Sequence, residues 1–281
     1  MAKDYVGRSG YTTPEIEACN SVLLELTHFL GEFRESMVLV GGGVPPLLMP
    51  HVADQHSGTI DIDCALDIDQ QPEDTYARFR ETLLQHGYHE GEQPYIFFRE
   101  VPAGEGESMI VEVDFLAAEY GGTGRSRRTQ RFDDARPRKA RGCDLAFRDF
   151  LEVEIKGTLP DGGKDSQIIR ICGIASFLVM KAIAMNDRLK PKDAYDIYFV
   201  ISKYEGGAEA IADALRPLLS LALVQEALAN LRKSFESVDH VGPKMVSDFE
   251  ELDDREEIER VRRDAFERVN MLLAELDETS Y

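Results

Sequence analysis

The chain has 281 residues, 43% of them hydrophobic, which suits one large domain or two modest ones with a proper buried core. A formal net charge of −20 excludes a body that coats nucleic acid or anionic membrane non-specifically, so any nucleic-acid contact has to be local. Cys19, Cys64, Cys143 and Cys172 show no C-x-x-C spacing, against a zinc site or disulfide framework, and neither an apolar leader nor a run of about 18 apolar residues is present, so a reduced, soluble, cytoplasmic protein without a membrane span is expected.

Thr13-Pro14 reads as an N-cap followed by proline at the first helical position, and Ile16, Val22, Leu23, Leu26, Phe29 and Leu30 recur at helical spacing, so a first helix ends near Gly31. "MVLVG" (37–41) is a short buried strand running into Gly41, Gly42 and Gly43, whose backbone N–H groups can approach phosphate oxygens; a plain turn is the alternative. The next strand carries "TIDIDCALDID". Successive side chains alternate between faces, so Asp61 and Asp63 share one face while Ile60, Ile62 and Cys64 take the other. Two like charges so placed need solvent or a bridging cation, and Mg²⁺ is the usual bridge. Spacing alone does not single the pair out, because Asp67/Asp69, Glu105/Glu107 and Glu152/Glu154 repeat it.

A helix is expected from Pro72 to Gln85 with Gly87 as its stop, then strands at 95–100 and 109–116. In "MIVEVDFL", Val111, Val113 and Phe115 fall on one face and Glu112 and Asp114 on the other, which makes Asp114 a third candidate carboxylate. Acids on adjacent strands behind a glycine-ended strand are what a two-metal phosphoryl-transfer site requires, with ions roughly 3.5–4 Å apart. "RSRRTQRFDDARPRKAR" (125–141) is the one strongly basic segment and reads as a loop, either a solvated charge run or an RNA clamp through Arg125, Arg127, Arg128 and Arg131. After the linker-like "PDGGKD" (160–165), residues 173–276 read as helices broken at Gly206-Gly207, Pro217 and Gly242-Pro243. In "SFLVMKAIAMNDRLKPKDAYDIYFV" (176–200), Lys181, Arg188, Lys190 and Lys192 gather with Asp193 and Asp196. A lysine in so apolar a helix needs an anion partner or must snorkel to the surface.

"VLVGGG", "HSGTIDID" and "FLVMKAIAMNDRLKPKDAYDIYFV" together resemble the AbiEii/MenT-type nucleotidyltransferases, toxins of type IV toxin–antitoxin and abortive-infection systems with a DNA polymerase β-like fold. The resemblance spans about residues 37–200. Two departures stand out: Gly43-Val44-Pro45 follows where many members carry Ser or Thr, and the stretch before Asp61 is longer. The fold implied is α/β (α+β): a nucleotidyltransferase-type mixed sheet with helices at 1–165 and a helical bundle at 166–281 that completes the active site. By the resemblance Asp61 and Asp63, with Asp114, would hold Mg²⁺. Lys181 would bind the NTP and Asp196 would be the further essential acid, with Gly41–Gly43, Arg188 and Lys192 as nucleotide contacts. The reaction implied is transfer of NMP from an NTP to an acceptor hydroxyl, the tRNA 3′ end, with a cognate antitoxin as a further partner. A small-molecule acceptor, or a non-catalytic nucleotide- or antitoxin-binding module with the same fold, are the alternatives. Residues 205–281 carry no recognised motif.

Overall fold

The computed structural model describes residues 7–67, 75–104, 107–118 and 138–278. The chain divides into a unit formed by Thr12–Leu47 and Gly58–Gly173 and a second formed by Met1–Tyr11, Leu48–Ser57 and Ile174–Tyr281. The boundary read from sequence at 165/166 thus stands against one at 173/174, with two short upstream segments joined to the helical unit.

The first unit is built on a mixed sheet. Helix α1 (Thr13–Phe29) starts from Thr12, whose N–H and hydroxyl both donate to the Glu15 carboxylate at 3.4 and 2.9 Å, with Pro14 in the first turn. Strand β1 (Met37–Val40) is apolar and buried throughout, as a central strand has to be. A three-glycine turn and the short helix α2 (Val44–Leu48) follow, then β2 (Asp61–Leu66). Helix α3 (Thr75–Gln85) stops at Gly87, whose φ of +80° ends the helix without strain; the expected start of α3 at 72 lies outside the described residues. The remainder is β3 (Tyr88–Glu90), β4 (Ile96–Gly104), β5 (Glu107–Ala118), β6 (Arg138–Ala140), α4 (Cys143–Ala146), β7 (Phe150–Thr158) and β8 (Lys164–Cys172).

The described strands run in the order β3-β4-β5-β2-β1-β8-β7, with β6 also on β5. The pairs β2/β5 and β1/β8 are parallel, and β1/β2, β4/β5 and β7/β8 antiparallel. Two expectations are corrected here. "PDGGKD" is not a linker but the turn of the β7–β8 hairpin, closed by Leu159 N–H on Gly163 O at 2.7 Å with Gly162 at φ +90°. The basic segment is not loop throughout, because its end, Arg138–Ala140, pairs in parallel with Leu116–Ala118.

The second unit is helical: α5 (Ile174–Arg188), α6 (Pro191–Lys203), α7 (Gly207–Leu215), α8 (Ala222–Ser234), α9 (Val241–Phe249) and α10 (Arg255–Glu278). Helix α5 is apolar nearly all round and buried, as that pattern demands. It packs against α6, α7 and α8, while α9 and α10 pack on α6. Helix α10 shows one stripe, Ala265, Val269, Leu272, Leu273 and Leu276, to the core and a charged face elsewhere. The segment before α1 is fastened to this unit by Arg8, which bonds Glu250 and Gln55 O, and by Ser9, whose N–H donates to Glu251 at 2.6 Å. No described helix is long and apolar enough to cross a membrane.

Candidate active site

In the sheet unit, register brings the candidate carboxylates into one place. Asp63 lies opposite Asp114, and Asp61 opposite Glu112, on the parallel strands β2 and β5. Paired residues of neighbouring strands share a face, so four acids occupy adjacent positions there. The β2 pattern confirms the alternation: Asp61 is exposed and Asp63 half-buried, while Ile62 and Cys64 are buried. Asp114 is buried. Two side groups brace Asp61. Thr59 donates its hydroxyl to Asp61 Oδ1 at 2.6 Å, and the Cys19 thiol of α1 donates to the Asp61 carbonyl at 3.5 Å. The thiols of Cys64 and Cys143 are both driven up, first by burial and then by the charge of Asp63 and, more weakly, of Asp114.

Gly41 explains the glycine turn differently from the phosphate argument. It has φ +72°, and a Cβ there would run into Oδ2 of Asp63. A Cβ on Gly43 would meet only ordinary contacts with Leu39 and Thr59. The glycine that cannot be replaced is therefore the one that gives Asp63 its room.

Among the described residues no three His, Cys, Asp or Glu side chains converge to cage a metal ion unaided. The donor set does fit Mg²⁺, a hard cation that takes one or two carboxylates and fills its remaining positions with water and substrate phosphate oxygens. Asp61 and Asp63, two residues apart on one strand face with Asp114 alongside, supply that kind of oxygen set.

The second cluster lies within the helical unit. Lys181 on α5 is buried and reaches Asp193 Oδ1 at 3.0 Å and Asp196 Oδ2 at 2.7 Å on α6. It is therefore neither a surface nor a snorkelling lysine. Arg188 grips Asp193 with both Nε and Nη2 at 2.7 Å. Lys192 meets Asp196 Oδ1 at 2.5 Å, its ammonium boxed by the rings of Tyr11, Tyr195 and Phe249 at 5.2, 5.5 and 5.7 Å. Burial works to raise the Asp196 carboxyl, but Lys181, Lys192 and His56 outweigh it and hold the group far below the usual carboxylate range. For Lys181 burial works downward, and Asp196 with Asp193 overcomes it, so the ammonium stays charged beyond its ordinary range.

His56, Thr59 and Cys19 are participants to which the sequence analysis assigns no role. Thr59 is two residues from Asp61, and an Asx-type local bond could have suggested it. His56 meets Asp196 across 140 positions, where no local signal exists. Arg125, Arg127, Arg128 and Arg131 lie outside the described residues.

A family profile described as nucleotidyl transferase AbiEii toxin, type IV TA system, matches residues 26–279 of the chain. No individually curated protein matches it.

Proposed function

Because the chain belongs to the AbiEii nucleotidyl transferase toxin family of type IV toxin–antitoxin systems, we propose that it transfers NMP from an NTP to the 3′ end of a tRNA, with Mg²⁺ on Asp61 and Asp63. The family brings with it a nucleotide substrate and an antitoxin partner; the metal and the acceptor are the finer reading. One observation carries it: the register that sets Asp63 beside Asp114, with Asp61 two residues along and Gly41 cleared of side chain for Asp63.

Mg²⁺ held by Asp61 and Asp63, with Asp114 beside Asp63 in register, would neutralise triphosphate charge and lower the proton affinity of an attacking hydroxyl. The chain's own groups position the rest. Thr59 holds Asp61 Oδ1, fixing the more exposed carboxylate in one rotamer. In the helical unit, the Lys181 ammonium donates to Asp193 and pairs with Asp196, and in this reading it is also the triphosphate contact that the family resemblance implies. The acceptor oxygen attacks the α-phosphorus, the bond to the bridging oxygen breaks, and pyrophosphate leaves while the hydroxyl proton passes to solvent or a carboxylate. Catalysis is then positioning and charge neutralisation.

The test is purified protein with each labelled NTP, total tRNA, and Mg²⁺ or EDTA. Label on tRNA with one or more NTPs, lost in EDTA, supports the reading. Asp63→Asn should abolish it with the melting temperature unchanged or higher, since one of several crowded like charges is removed. Transfer that ignores both EDTA and Asp63→Asn would remove the metal assignment, and label only on a small-molecule hydroxyl would replace the acceptor.

A further inference from the structure

Three groups meet Asp196: Lys192 and His56 hydrogen-bond Oδ1, and the Lys181 ammonium forms an ion pair with Oδ2 at 2.7 Å. The terminal torsion of an aspartate is broad, so the plane of the carboxylate is set by the groups packed around it. A donor carried on a ring clamped between aromatic neighbours fixes that plane more narrowly than the two ammonium groups alone. His56 is such a donor. Its side chain and that of Asp196 are both 0% exposed, and Nε2 lies 3.0 Å from Oδ1. The ring is stacked on Tyr195 at 5.5 Å and 29°, and Phe199 closes on it edge-on at 4.8 Å and 66°.

We propose that His56 is a positioning residue for nucleotidyl transfer: as a neutral imidazole it donates Nε2–H to Asp196 Oδ1, turning Oδ2 toward Lys181 and fixing the lysine's ammonium. The proposal rests on the reading that Lys181 and Asp196 serve turnover. Its electrostatics are consistent within the unit. Burial and the positive charge of Lys192, with a smaller push from Lys181, outweigh the pull of Asp196 and hold the ring's pKa at about 4, so at neutral pH the ring is an uncharged donor. With Nε2 carrying the proton, the tautomer follows from the partner: Asp196 is an anion and can only accept.

The decisive comparison uses the full chain with His56→Phe, which keeps an aromatic ring but has no donor, and His56→Gln, whose carboxamide nitrogen can occupy the Nε2 position. Transfer to total tRNA should fall in kcat by on the order of tenfold to a hundredfold for His56→Phe with little change in KM for NTP, the scale expected when an orienting partner is lost. His56→Gln should recover most of that loss. In the wild type, ¹⁵N shifts of the His56 ring should report the neutral Nε2–H tautomer from pH 8 down to about pH 5. Wild-type kcat in a folded His56→Phe, a His56→Gln no better than Phe, or a charged or Nδ1–H ring at pH 7 would each overturn the proposal. If His56→Phe does not fold, His56→Gln and the ring spectrum decide. Asp196→Asn and Lys181→Met separate the two readings: full transfer in these variants sinks the role of the cluster itself, whereas their inactivity beside a fully active His56→Phe sinks only the role of His56.

Discussion

Asp63 and Gly41 act as one feature, because the carboxylate occupies the volume a Cβ would fill. Gly41→Ala therefore brings two costs at once. The alanine has to hold φ near +72°, a region it avoids, and Asp63 has to leave its position. Stability should fall by roughly 1–3 kcal/mol, the usual range for such backbone strain. Transfer should fall much further, since the loss is in the geometry of the proposed metal ligand. Gly43→Ala is the control: with only ordinary contacts around its Cβ, it should keep both melting temperature and transfer close to wild type. Differential scanning calorimetry with a label-transfer assay on the two variants checks this, and a Gly41→Ala with normal turnover would show that Asp63 need not sit where it does.

At the scale of elements, helices α5 and α6 carry the buried ion pairs, and the motif-free chain after 205 provides helices packed against both of them. Removing one member of a buried pair leaves an uncompensated charge, at about 3–5 kcal/mol. Lys181→Met leaves Asp193 on Arg188 and Asp196 on Lys192, so it should lower stability by less than that, while adding Asp196→Asn takes the carboxylate from the buried Lys192 and should lower it further, with no transfer in either variant. Equal melting temperatures for Lys181→Met and wild type would contradict the ion-pair network. His56 sets a pH dependence of its own. Its folded pKa of about 4 lies below the ordinary 6.5, so between these values the unfolded chain binds a proton that the folded chain refuses. Its contribution is fully present above pH 6.5 and declines as pH falls toward 4, by up to about 1.4 kcal/mol per unit and roughly 3 kcal/mol in all. Asp196 adds a loss only below the usual carboxylate range, and Lys181 only above the usual lysine range, so neither masks the window. Urea unfolding of wild type and His56→Gln at pH 7.5, 6, 5 and 4.5 should show the two curves converge on acidification; a constant difference would mean His56 is not held neutral. Much of this was legible beforehand. The period-2 alternation located β2 and β5 and the shared face of Asp61 and Asp63, and the apolar run around Lys181 called for the anion partner that Asp193 and Asp196 supply. The β7–β8 hairpin was missed although Leu151, Val153 and Ile155 alternate with Glu152, Glu154 and Lys156, because a Pro-Asp-Gly-Gly turn looks the same in a linker and only cross-strand pairing tells them apart. His56 was not legible at all, since what makes it informative is a contact across 140 residues.

Across the whole molecule, charge is distributed unevenly. The stretch 125–141 holds eight Lys or Arg against two Asp, a local net of +6, and leaves −26 on the remainder of a chain whose total is −20. An acidic body repels a polyanion wherever it presents bare carboxylates, so an RNA acceptor has to be met by a local cationic segment. This one follows β5, the strand that carries Asp114, in sequence and pairs with it as β6 at Arg138–Ala140. Its later end is thereby fixed to the strand that carries a proposed metal ligand. Arg and Lys contacts to phosphates release counterions and give affinity that falls steeply with salt, by about 0.7 to 0.9 in log–log slope for each phosphate neutralised. Replacing Arg125, Arg127, Arg128 and Arg131 by Ser should therefore weaken tRNA binding and reduce the salt slope by up to about 3, while NTP affinity and melting temperature stay at wild-type values. Filter binding of total tRNA between low and physiological salt, beside calorimetric NTP titration, makes the measurement. A tRNA affinity and slope that survive all four substitutions would take the RNA contact away from this segment and turn the search for the acceptor toward small-molecule hydroxyls.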